Sequence, residues 1–95
     1  MLEAQRQKID KIDAQLVELF QERLAVSESI AETKYAQHIG LTDRGREAVL
    51  LETLTNAVTN DAYKPYIKDL FRDILLISKQ LQANKIKQLQ DQNKA

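Results

Sequence analysis

The chain has 95 residues, with 14 Lys+Arg against 14 Asp+Glu, no cysteine and a single histidine, His38. A formal net charge of zero argues against a nucleic-acid surface, which needs a basic excess. The lack of cysteine excludes a disulfide framework and a thiolate metal site, and one imidazole cannot make a transition-metal centre. Leu2-Glu3-Ala4-Gln5-Arg6 lacks the apolar core of a signal peptide and no run approaches membrane-spanning length, so a cytoplasmic protein with no membrane partner is the expectation.

Gly40, Gly45 and Pro65 are the only glycines and proline. With abundant Leu, Gln, Glu, Lys and Ala, this composition predicts an all-α fold of three helices. The first is predicted from about Glu3 to about Gln37, with Gly40 as its stop. His38 falls in the following loop and is structurally neutral. The second helix begins after Thr42 or Asp43, either of which can cap it, and runs to about Thr59. Asn60 and Asp61 cap the third, and Pro65 fits its first turn because the missing N–H has no intrahelical partner there. That helix carries Ile67, Leu70, Phe71, Ile74 and Leu81, and runs on toward Leu89 with a frayed end. Residues 1–90 form the helical domain and residues 91–95 a polar tail.

Helix one is too long for the rest of the chain. About 35 residues at 1.5 Å each span about 50 Å, whereas a compact globule of this chain length is about 30 Å across. It is also apolar on two sides. Ile9, Ile12, Leu16, Leu19, Val26 and Ile30 form one strip; Leu2, Val17, Phe20 and Leu24 form another. Two short companions cannot cover both, which implies an obligate, intertwined homodimer.

Arg23 occupies the beat between Leu19 and Val26 where the first strip calls for a leucine. A guanidinium keeps its proton at any ordinary pH, so burial demands an anion. No Asp or Glu shares that strip between Ile9 and Ile30, so the anion can come from a ligand. Lys34 follows 11 residues later, a rotation of only about 20° and a rise of about 16 Å, and the space between suits a small dianion. Asp43 and Glu47 share the face of helix two bearing Leu50, Leu51 and Leu54, with Arg46 beside them. Ser78 and Gln82 lie one turn apart on the side of helix three bearing Phe71, Ile74 and Leu75. Arg6 is about 26 Å and about 100° away from Arg23 on one stiff helix, so no small molecule touches both within a chain. Facing the partner, it can complete the other protomer's site. Each of these residues also has an ordinary structural reading: a salt bridge for Arg23, a dipole-complementing lysine for Lys34, a helix cap for Asp43. Their convergence on one cationic, apolar-walled site is harder to explain that way.

At this point the chain resembles the all-helical chorismate mutase family over nearly its full length. The resemblance rests on Arg6-Gln7-Lys8-Ile9-Asp10-Lys11-Ile12-Asp13, on Leu16, Leu19 and Glu22-Arg23, and on Ile30-Ala31-Glu32-Thr33-Lys34. It continues in Asp43-Arg44-Gly45-Arg46-Glu47 and in Leu70-Phe71 through Ser78 to Gln82. Gly45, in the first turn of helix two, is the departure from the pattern. The resemblance implies rearrangement of chorismate to prephenate in phenylalanine and tyrosine biosynthesis, by a stand-alone enzyme without metal or cofactor. It implies that Arg6 of one subunit and Arg23 of the other clamp the substrate's carboxylates. Lys34 would contact a carboxylate and the ether oxygen, and Gln82 would donate to that oxygen. Glu47 would accept from the ring hydroxyl near Asp43 and Arg46, and Ser78 would support a carboxylate.

Two rivals remain. An isochorismate pyruvate-lyase is similar in fold and arginine clamp, but lacks the Arg46-Glu47 pairing. A non-catalytic helical dimer, serving as an interaction or regulatory module for a pathway enzyme, explains the amphipathic helices but not Arg23 and Lys34 on an apolar face. No amino-acid-binding domain is evident, so little intrinsic allostery is expected.

Overall fold

The computed structural model describes residues 1–94; Ala95, the last residue of the predicted tail, lies outside the described residues. Three α-helices account for most of the chain: α1, Leu2–Gln37; α2, Arg44–Asn56; and α3, Lys64–Lys94, which follows a short 3₁₀ turn at Asp61–Tyr63. No helix among the described residues is long and apolar enough to cross a membrane.

Each boundary has a local cause. α1 stops at His38, which takes the left-handed conformation (φ 56°). The Ile39 N–H donates to the Lys34 carbonyl (2.9 Å) and the His38 N–H to the Tyr35 carbonyl (3.4 Å), which closes the last turn and satisfies two of its free carbonyls. The predicted stop at Gly40 is therefore corrected by two residues, and His38 is not neutral: histidine is among the few non-glycine residues that enter this region at modest strain. Glycine there carries no Cβ penalty, so His38→Gly is expected to stabilise the protein by about 0.5–1 kcal/mol. Thermal unfolding measures it, and a lowered midpoint would contradict the assignment of His38 as the stop.

Asp43, not Thr42, caps α2: its Oδ1 accepts from the Arg46 N–H at 2.9 Å. Gly45 has no positive φ, and a Cβ placed on it would meet Asp43 Oδ1 at an ordinary 3.6 Å, so the departure from the family pattern leaves the cap intact. α2 ends at Asn56, three residues before the expected Thr59. Its last turn holds Thr53, Thr55 and Asn56, all weak helix formers, and the Thr55 hydroxyl bonds back to the Leu51 carbonyl at 2.6 Å. Asn60 Oδ1 accepts from the Ala62 N–H (3.0 Å), so it caps the 3₁₀ turn that feeds α3 rather than α3 itself. Pro65 lies in the first turn of α3, where it was expected.

α3 is not a short companion. Its 31 residues run past Leu89 to Lys94, because Ile86 and Leu89 continue the half-buried face and the Gln/Lys-rich stretch between favours helix. Tyr35 hydrogen-bonds to this far end, its hydroxyl accepting from the Asn93 side-chain amide and donating to the Leu89 carbonyl at 3.4 Å.

α3 packs against both α1 and α2, whereas no Cα of α1 comes within 8 Å of one in α2. The two outer helices therefore flank an open space floored by α3. The whole is elongated, 59 × 29 × 14 Å, with a radius of gyration of 17.0 Å, against about 12 Å for a compact chain of this size. Ala31 is the one fully buried apolar residue among those described. Residues 1–19, the cap of α1 and its first 18 residues, are all exposed, including Ile9, Ile12, Leu16 and Leu19. Phe20 and Leu24 of the second strip are half-buried, while Leu2 and Val17 stand in the open.

Candidate active site

The space between α1 and α2 is a cleft of about 360 Å³, within the usual range for small-molecule sites. α1 contributes Arg23, Ser27, Ile30 and Lys34, at three- and four-residue steps along one helix face, with Val26 beside Ser27. Leu41 and Asp43 come from the loop and cap, Arg46, Glu47 and Leu50 from α2, and Leu75, Ser78, Lys79 and Gln82 from α3.

The interior end is polar and buried. Ser78 and Gln82 are 5% and 7% exposed, yet both find partners on α1. The Arg23 guanidinium donates from Nη1 to Ser78 Oγ. Among the described residues no carboxylate pairs with Arg23, so its charge is uncompensated by the chain. That is the condition under which a buried cation favours an incoming anion. The structural salt bridge that would have made Arg23 unremarkable is not formed.

Lys34 Nζ donates to the Leu41 carbonyl (2.8 Å) and to Gln82 Oε1 (3.0 Å). An ammonium has three protons, so one remains for a ligand. The bond also orients the Gln82 amide: with Oε1 engaged by Lys34, Nε2 is left as a donor that makes no hydrogen bond among the described residues. Lys34 and Gln82 thus present two N–H donors at one place. The Leu41 bond ties the 38–43 loop to α1 and with it the start of α2.

At the other side of the cleft, Asp43 is occupied as the α2 cap, and Arg46 is exposed. Glu47 forms an ion pair with Lys79 at 3.0 Å.

Of the eight residues singled out in the sequence, seven line this cleft: Arg23, Lys34, Asp43, Arg46, Glu47, Ser78 and Gln82. Arg6 does not; it lies on the exposed first half of α1, away from its own chain's cleft. Ser27, buried at 4%, and Lys79 are cleft residues that sequence reasoning missed. Ser27 was legible, since it lies four residues after Arg23 and seven before Lys34 on the same face. Lys79 was not: the pairing of a lysine with a carboxylate on another helix depends on how the helices are juxtaposed.

Neither a curated protein nor a solved structure matches the chain. Residues 5–83 match the family described as chorismate mutase type II, a span that begins just before Arg6 and ends just after Gln82. With its all-α three-helix architecture and this match over most of its length, the chain belongs to the chorismate mutase type II family and is an enzyme of that class.

Proposed function

We propose that the chain rearranges chorismate to prephenate as a cytoplasmic homodimer serving phenylalanine and tyrosine biosynthesis. The observation that carries this reading is the uncompensated Arg23 guanidinium sharing one cleft with the Lys34 ammonium and the Gln82 amide. A [3,3] rearrangement breaks one C–O bond and makes one C–C bond within a single molecule. It needs no nucleophile and no obligatory proton transfer. What it does need is a compact conformer whose two ends are held together, and a cationic clamp on two carboxylates enforces that. Arg23 takes one carboxylate, with Ser78 holding the guanidinium in place.

Negative charge builds on the ether oxygen as the C–O bond stretches. The Lys34 ammonium and the Gln82 Nε2 are the donors aimed there, already locked by their mutual bond, so little reorganisation is required at the moment of reaction. Losing one such donor typically costs about 3–4 kcal/mol of transition-state stabilisation. Glu47 accepts from the ring hydroxyl, near Asp43 and Arg46.

The dimer supplies what one chain lacks. Ile9, Ile12, Leu16 and Leu19 are each more than half exposed in the single chain. Burying each against a second copy is worth about 1.5–3 kcal/mol. Arg6 shares that half of α1, so a partner packed along it brings its own Arg6 to this cleft as the second arm of the clamp.

Incubation with chorismate and, separately, with isochorismate tests the reading. Prephenate from the first is expected. Salicylate and pyruvate from the second, with no prephenate from the first, would assign the cleft to a lyase instead.

A further inference from the structure

The clamp and the ether-oxygen donors leave one feature of the cleft without a task, the ion pair between Glu47 of α2 and Lys79 of α3. It differs from the other ion pairs among the described residues. Asp61–Lys64 and Asp69–Arg72 join neighbours three residues apart, and Glu32–Lys85 is longer, at 3.7 Å, with Glu32 57% exposed. Glu47 and Lys79 meet at 3.0 Å with side chains only 25% and 32% exposed, inside the cleft wall. No other side-chain hydrogen bond or ion pair links α2 to α3 among the described residues. α2 buries none of its residues fully, so its seat on α3 rests on half-buried leucines and this pair.

A second consideration is electrostatic. Glu47 shares the cleft with Arg23 and Lys34, the cations that must stay available for a dianion. A mobile carboxylate there would be drawn to them and compete with the substrate. Its neighbour Arg46 cannot restrain it, because adjacent residues on a helix do not face each other. Lys79, across the cleft wall, can.

We propose that Lys79 is a positioning residue: it holds the Glu47 carboxylate as the acceptor for the ring hydroxyl and keeps it off the cationic clamp. This rests on the mutase reading above. Lys79 acts through Glu47, and its effect falls on substrate binding more than on the rearrangement itself.

Steady-state kinetics of the full chain with chorismate test this in a double-mutant cycle. Lys79→Met is expected to lower kcat/KM about tenfold, mainly through KM, the signature of lost ground-state binding. Lys79→Arg should recover most of the loss. In a Glu47→Gln background, Lys79→Met should change kcat/KM by less than about twofold, because coupled residues are not additive. The pair is still reached by solvent and the half-buried leucines of α2 are untouched by the substitution, so the Lys79→Met unfolding midpoint should stay within about 2 °C of wild type. The proposal is overturned by unchanged kcat/KM in Lys79→Met, by a loss that persists undiminished beside Glu47→Gln, or by a loss that follows a collapsed midpoint and is not rescued by arginine. Wild-type protein that forms no prephenate overturns the mutase reading along with it; active wild type beside an unaffected variant removes the role of Lys79 alone.

Discussion

Arg23→Met is expected to abolish measurable conversion of chorismate to prephenate, by at least about 10²–10³-fold in kcat/KM, while the protein stays folded and associated. The two halves of that expectation have different origins. Activity falls because methionine keeps an unbranched stem but offers no fixed charge to a carboxylate, and the substrate's ends are no longer held together. Stability holds or rises because Arg23 has only a serine hydroxyl as partner, so the guanidinium is half-buried at a desolvation cost that its own chain does not repay with a counter-charge. Arg23→Lys should not rescue, since an ammonium lacks the planar fork that grips a carboxylate at two points. Loss of chorismate absorbance gives the rate, and thermal unfolding with sedimentation gives the state of the variant. An active Arg23→Met protein would remove the clamp from the mechanism. An inactive variant that is also unfolded would instead place Arg23 among the packing residues.

Complementation between two inactive variants is the second large effect. Arg6→Ala and Arg23→Ala homodimers should each be nearly inactive. In the proposed dimer, a heterodimer of the two would have one site with Arg23 from the first chain and Arg6 from the second, and one site with neither. Half of the wild-type rate per heterodimer is therefore expected. Co-expression with two different affinity tags, followed by sequential purification, isolates that species for assay. A verified heterodimer with no recovered activity would show that both arginines act within one protomer, whereas an active Arg6→Ala homodimer would show that Arg6 has no part in the site. The single-chain geometry makes the first of these hard to sustain, since Arg6 lies on the exposed half of α1 and contributes nothing to its own chain's cleft.

Several properties could be read from residue order alone, and for one reason: they depend on helical period and on chain-local chemistry. The three-helix architecture follows from the near-absence of glycine and proline and from apolar spacing. Arg23 could be singled out because an obligate cation interrupts a three-and-four rhythm, and Lys34 because 11 residues is close to three full turns. Asp43 as a cap and Pro65 in a first turn are likewise local matters.

Other properties depended on how the helices come together. That Arg23 meets Ser78, Lys34 meets Gln82 and Glu47 meets Lys79 follows from the rotation and axial offset of α3 against α1 and α2, over separations of 55, 48 and 32 residues. No helical period carries information across such distances. The end of α1 at Gln37 was read from residue order, but not the residue that turns the chain: glycine is the better left-handed residue, yet the turn falls two positions before Gly40, at His38, where carbonyls of Lys34 and Tyr35 are satisfied. Spacing places a side chain on a face; only packing chooses the atom it meets there, because hydrogen bonds are decided within tenths of an ångström and periodicity is blind at that scale.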